Sequence, residues 1–269
     1  MSDRRHLAVL LAPLALVAAL AAALLIPAPA ELELGEAGSE RANEMRDLID
    51  RAGDRPLVLV GFDPDMGTFA EIRPTVRMAI DQLLAREALV ALVSLTPEGR
   101  ALALGELARL ERSDVASEAI ADLGFRPGAE AALVALTRQP GEVAGSSEAR
   151  ARLAAAGASA VDLVLVVGGN DVGPRTWVEQ FGSRLPDVTM AAVAPTMSYP
   201  ELRPYLDTGQ LEGLLATVHD GAAYRRLTAG EVTLGRTDAR AAAGLPMLVG
   251  LLAAIGVLAH GLVGRGRLR

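Results

Sequence analysis

The side chains best suited to chemistry are two carboxylates, Asp63 and Asp65, in the stretch Asp63-Pro64-Asp65-Met66-Gly67-Thr68 that closes an apolar run. Five more polar turns stand in the same relation to apolar runs. They are Ser94-Leu95-Thr96-Pro97-Glu98, Arg126-Pro127-Gly128, Gly168-Gly169-Asn170-Asp171, Pro195-Thr196 and His219-Asp220-Gly221. Carboxylates, hydroxyls, a guanidinium and close-approach glycines are groups that hold polar ligands. The ligand-binding candidates are therefore Asp63, Asp65, Ser94, Thr96, Arg126, Gly169, Asn170, Thr196, His219 and Asp220. Gly, Pro, Asn and Asp are also the residues that turn geometry selects, and an aspartate ahead of a long helix is a ready cap. Each turn thus has a structural reading beside the functional one, and it is their recurrence that favours a ligand.

Residue types exclude several other chemistries. The chain has no cysteine, so a disulfide, a thiolate metal site and a thiol nucleophile are ruled out. All 26 basic residues are arginine, which rules out a Schiff-base lysine. His219 is the only histidine between the apolar end segments, and no Gly-x-Ser-x-Gly elbow accompanies it. A single histidine cannot build the usual zinc site, so no metal site is expected. Gly168-Gly169-Asn170 lacks both the G-x-G-x-x-G spacing and the lysine of a P-loop. A net charge of −7 without a basic run argues against nucleic acid as a partner.

Short apolar runs, turns and helix-period segments alternate along the body, which predicts a doubly wound α/β fold with a mostly parallel sheet of Rossmann or flavodoxin type. Strands are expected at 57–62, 89–94, 120–125, 161–167, 188–193 and 211–218. The run 161–167 is apolar enough to lie at the centre. Helices are expected at 44–51, 69–86, 97–110, 128–137, 175–184, 200–206 and 221–227, with an exposed loop at 139–149. Trp177 and Phe181, four apart on a helix, should pack into the core. In such sheets the ligand crevice lies beyond the carboxyl ends of the strands, where the six polar turns fall.

The chain also carries two apolar segments, 7–26 and 244–264, with Arg4 and Arg5 before the first and Arg265, Arg267 and Arg269 after the second. Twenty helical residues reach about 30 Å, the thickness of a bilayer's hydrocarbon core. Residues 27–40 hold Glu31, Glu33, Glu36 and Glu40 and no basic residue, so the positive-inside rule places both termini in the cytoplasm and the body outside. The layout expected is a tail (1–6), a membrane helix (7–26), a spacer (27–43), the α/β domain (44–228), a linker (229–243), a second membrane helix (244–264) and a tail (265–269). Ala28-Pro29-Ala30 leaves cleavage of the first segment as a signal peptide open. The lipid bilayer is the partner this implies. Ala15, Ala19 and Ala23, and likewise Gly250 and Ala254, offer small faces for self-association or for another membrane protein.

Asp63, Asp65, Gly67 and Thr68 resemble the Asp-x-Asp-Gly-Thr loop of haloacid-dehalogenase-like phosphohydrolases. That resemblance implies a nucleophilic Asp63, proton transfer by Asp65, a phosphate-gripping Ser94 or Thr96, and Asp171 beside a magnesium ion. Met66 is one residue too many for the motif, and arginine, as at Arg126, would have to replace the family's lysine. A second resemblance covers nearly the whole body. Pro204 to Leu215 with its Gly-Gln-Leu-x-Gly-Leu-Leu core, Gly221-Ala222-Ala223-Tyr224, Leu123 to Gly128 and Phe62 to Asp65 are similar to a family of prokaryotic proteins. That family, to which no activity is assigned, carries an α/β domain between two terminal transmembrane helices. It implies architecture and transfers no catalytic residue. The expectation is a non-catalytic ligand-binding or assembly component of a membrane complex, without a cofactor. The alternative is a magnesium-dependent phosphohydrolase.

Overall fold

Valine, leucine and isoleucine dominate six short runs whose residues point alternately to opposite faces, and both faces of such a run need cover. They form β1 (Leu57–Asp63), β2 (Leu89–Ser94), β3 (Ile120–Phe125), β4 (Leu163–Gly168), β5 (Thr189–Val193) and β6 (Gly213–Leu215). The computed structural model describes residues 36–112, 119–138 and 148–228, all within the compact unit Leu34–Gly235. Every strand pair is parallel, and the order is β3-β2-β1-β4-β5-β6. This is the doubly wound α/β arrangement, with β1 and β4 adjacent at its middle.

Each face has its own core. Val58, Val60, Phe62, Leu165 and Val167 pack against α1 (Glu36–Arg51), α2 (Met66–Ala85), α3 (Pro97–Arg112) and α8 (Val218–Thr228). Leu57, Leu59, Ala91, Val164 and Val166 face the opposite layer of α4 (Glu130–Arg138), α5 (Glu148–Ala156), α6 (Pro174–Gln180) and α7 (Tyr199–Asp207). Trp177 and Phe181 are fully buried there, with ring centroids 5.5 Å apart. Gly61 makes room for them, since a Cβ on it would lie 2.4 Å from the Trp177 ring.

Ion pairs fasten the first layer. Glu106 on α3 accepts from Arg77 on α2 at 2.7 Å and from Arg109 at 3.0 Å, and Arg109 also reaches Asp81 at 3.0 Å. Arg41 on α1 bonds Asp220 on α8 at 2.7 Å and lies over the Tyr199 ring.

The structure departs from the sequence reading in four places. Helix α1 starts at Glu36, inside the stretch read as spacer, because Ala42, Met45 and Ile49 continue one buried stripe. Residues 148–149, read as loop, open α5, whose only buried side chains are Ala149 and Leu153; residues 139–147 lie outside the described residues. Strand β6 has three residues rather than eight, since the Leu211 amide turns back to the Tyr205 carbonyl. His219, Asp220 and Gly221 therefore lie in the first turn of α8, not in a free strand-end turn. The segments 7–26 and 244–264 lie outside the described residues, and among the described residues no helix is long and apolar enough to cross a membrane.

Candidate functional site

Strands β1 and β4 are neighbours whose connections leave toward opposite sides, so the crevice of this fold opens at their carboxyl ends. There Asp63 stands in register with Gly168. The Asp63 carboxylate is fully buried, and its Oδ1 accepts from the Leu95 amide (2.7 Å), the Thr96 amide (2.8 Å) and the Thr96 hydroxyl (2.9 Å). Thr96 Oγ1 accepts in turn from the Gly99 amide at 2.9 Å. Gly99 must be glycine for this fit, because a Cβ would come within 2.7 Å of Asp63 Oδ1. The other oxygen, Oδ2, is buried without a hydrogen-bond partner. Burial pushes the Asp63 carboxyl up to about 6, against the pull of the Leu95 and Thr96 donors.

The turn after β4 closes on β1 from the other side. Asn170 Nδ2 donates to the Asp63 carbonyl at 2.8 Å and lies 3.5 Å from Asp65 Oδ1, while Asn170 Oδ1 accepts from the Val172 amide at 3.1 Å. Gly168, at φ +140°, lets the strands meet, since a Cβ would sit 2.4 Å from the Asp63 carbonyl oxygen. Gly169 does the same toward β5, where a Cβ would run into the Ser198 hydroxyl and the Pro195 ring. These glycines serve close packing of three turns rather than a phosphate cradle.

The start of α2 is the place where dinucleotide-binding folds seat a pyrophosphate. Here the Met66 amide donates to Glu98 Oε1 at 2.6 Å. The helix terminus is capped by the protein's own carboxylate and flanked by Asp63 and Asp65, an arrangement that repels a phosphate.

The remaining candidates divide into two groups. Ser94 is buried at the end of β2, and its carbonyl accepts from the Arg126 amide at 2.8 Å. Ser94 Oγ, Arg126 Nη2 and Thr68 Oγ1 are buried without partners, like Asp63 Oδ2. At the ends of β5 and β6, the Thr196 amide and hydroxyl donate to Glu71 Oε1 at 2.9 and 2.6 Å. His219 is exposed, whereas Asp220 is fully buried and accepts from Arg41, Ala216 N and Thr217 N. Asp220 is thus an anchor for α1 and α8. The structure brings together Asp63, Asp65, Thr96, Gly169 and Asn170, with Ser94 and Arg126 alongside, and sets Thr196, His219 and Asp220 apart.

Sequence reasoning missed Glu98 and Glu71 as partners. Glu98 carried a signal, an acid in the first turn of a helix, but its hold on Met66 depends on β2 lying beside β1. Arg225, half-buried on α8 with no carboxylate paired to it among the described residues, was missed too, and no signal in the sequence marked it.

The magnesium that a phosphohydrolase would need takes several oxygen ligands at once. Asp171 is exposed and only its carbonyl is engaged, accepting from the Thr176 hydroxyl at 2.6 Å. Among the described residues no three acidic or histidine side chains come close enough to hold a metal ion, so the residues present do not fit that group. The chain matches no family model, no curated protein and no solved structure. What the carboxyl edge can do therefore rests on its own geometry.

Proposed function

We propose that this chain is a membrane-anchored, extracytoplasmic α/β domain that acts as a non-catalytic component of a membrane assembly and meets its partner protein through the carboxyl edge of the sheet. One observation carries the reading. Polar groups of that edge are engaged with one another, as in the Asp63–Thr96 and Glu98–Met66 contacts, or buried, while large apolar side chains stand out around them. Among the described residues the large exposed apolar side chains are Met66, Leu104, Phe125, Met197 and Val218, and all but Leu104 lie at or shortly after the carboxyl end of a strand. Met197 is 76% and Met66 64% exposed. Methionine adapts its shape to a partner, and apolar side chains left exposed along one edge of the sheet offer a partner contact area.

The same edge disfavours nucleophilic catalysis. Asp63 Oδ1 already takes three hydrogen bonds and Oδ2 is shut away from solvent, so neither oxygen has a free line of attack on a phosphorus atom. The apolar segments 7–26 and 244–264 and their outer arginines support the membrane anchorage.

The test is the native size of the full chain extracted from its membrane in mild detergent. Wild type is expected to run as an assembly larger than one copy, whereas Met66→Asp and Met197→Asp should release the single chain with an unchanged circular dichroism spectrum. Glu87→Lys, on the opposite edge, should leave the assembly intact. A wild type that runs as a single chain, or an assembly indifferent to both methionine changes, would rule the reading out.

A further inference from the structure

A cavity of about 120 Å³ lies between α2, the carboxyl ends of β5 and β6, and α8. Its apolar wall includes Ile72, Val193 and Leu215, and its polar groups include Glu71, Thr75 and Arg225. It is separate from the Asp63 cluster. The cavity holds the volume of about four waters at ~30 Å³ each, which suits a ligand of four to six heavy atoms.

Arg225 is the unusual member. Among the described residues its one hydrogen bond is a long one, Nη1 to the Thr75 hydroxyl at 3.4 Å, and no carboxylate there pairs with it. Burial lowers the Arg225 pKa, and no neighbouring acid counters the shift. A half-buried guanidinium is normally paired, because an uncompensated charge away from water is costly. The close approach of α8 to α2 holds it in place. Gly221, one turn before Arg225, packs so near Thr75 that a Cβ would lie 2.3 Å from its hydroxyl.

Glu71, one turn before Thr75 on α2, stands at the exposed side of the cavity, with Oε1 fixed by the Thr196 amide and hydroxyl. The lining therefore offers one cation, one anion, a hydroxyl and an apolar wall. A dianion such as phosphate or a dicarboxylate would place its second charge against Glu71. A singly charged carboxylate meets Arg225 without that repulsion, and its fork of two oxygens matches the guanidinium.

We propose that this cavity binds a small monocarboxylate, with the carboxylate on Arg225 and Thr75 and a short apolar tail against Ile72, Val193 and Leu215. Glu71 sets the selectivity by excluding dianions. The cavity shares Val218 with the docking edge, but Met66→Asp and Met197→Asp leave Arg225 and Thr75 untouched, so the two readings fail separately.

The experiment is thermal unfolding of the full chain in detergent, titrated with propionate, succinate or inorganic phosphate at constant ionic strength and pH 8.5, where phosphate is a dianion. Propionate is expected to raise the melting temperature with the logarithm of its concentration above Kd, by about 3–6 °C at ten times its Kd, while phosphate and succinate give less than a third of that shift. Arg225→Gln should abolish the propionate shift. That variant removes an unpaired buried charge, so its own melting temperature should not fall. Arg225→Lys should keep a weaker response, and Glu71→Gln should admit succinate and phosphate. Equal propionate shifts in wild type and Arg225→Gln would overturn the proposal. So would phosphate acting as strongly as propionate on wild type, or no propionate shift up to 20 mM, roughly the weakest affinity an arginine–carboxylate site should show.

Discussion

Asp63 ties stability to pH in a way that one substitution can expose. Its carboxyl, ordinarily near 3.8, is raised by burial to about 6 in the folded chain. Below about pH 3 the group is protonated in both folded and unfolded chains, and folding bears no charge penalty. As pH climbs from about 4 to 6, the unfolded chain gives up its proton and the folded chain does not, so stability falls. At about 1.4 kcal/mol per tenfold change in acid strength, the rise from 3.8 to about 6 amounts to about 3 kcal/mol, essentially complete by pH 8.

Asp63→Asn removes the titration while keeping an oxygen for the donors of Leu95 and Thr96. It also places an amide nitrogen where Oδ2 now lies unpartnered, a burden of about 1–3 kcal/mol that does not vary with pH. The quantity to follow is therefore the difference in unfolding free energy between variant and wild type. Urea melts of both full chains at pH 4, 5, 6, 7 and 8 should show that difference moving by about 2.4 kcal/mol in favour of the variant across the range. A difference that stays flat to within about 0.5 kcal/mol, the usual precision of such comparisons, would show that Asp63 is not the buried acid described.

Gly61→Ala forces a methyl group into the Trp177 ring and should destabilise by about 1–3 kcal/mol, visible as a lower urea midpoint and an altered near-ultraviolet Trp signal. Asp220→Ala leaves Arg41 unpaired and two amides without their acceptor; a loss of about 3–5 kcal/mol is expected, and a loss below about 1 kcal/mol would deny Asp220 its anchoring role. Glu98→Ala should cost about 1 kcal/mol through the uncapped Met66 amide, with Glu98→Gln recovering part of it. A reporter inserted within residues 139–147 should be active only outside the cytoplasm; activity inside would defeat the proposed membrane orientation.

The strands were the most legible part of the sequence, because runs such as 89–94 and 163–168 must be apolar on both faces. Strands β2 and β3 run over the residues read for them, 89–94 and 120–125. Elements that owe their form to a neighbour were not legible. The first turns of α1 are Glu, Gly, Ser and Arg, and that helix continues into Met45 and Ile49 beneath α8. Helix α5 shows only two core side chains in an alanine-rich stretch. At the carboxyl edge, turn composition marked where polar residues would gather but could not say which groups were engaged. Asp63 meets Thr96 only because β2 lies beside β1, and Asp220 is silenced by an arginine far off in sequence.

The pairing of β1 with β4 has a further consequence for how the chain is made. Val58 to Asp63 find their ladder partners at Leu163 to Gly168, and Asn170 closes the join by bonding a carbonyl at residue 63. Until about a hundred more residues have been synthesised, the future middle of the sheet has a bare flank able to recruit any passing strand. A ribosome that stalls before residue 163 would release a sticky half-sheet, so the danger of misassembly is concentrated in the interval before one late segment emerges.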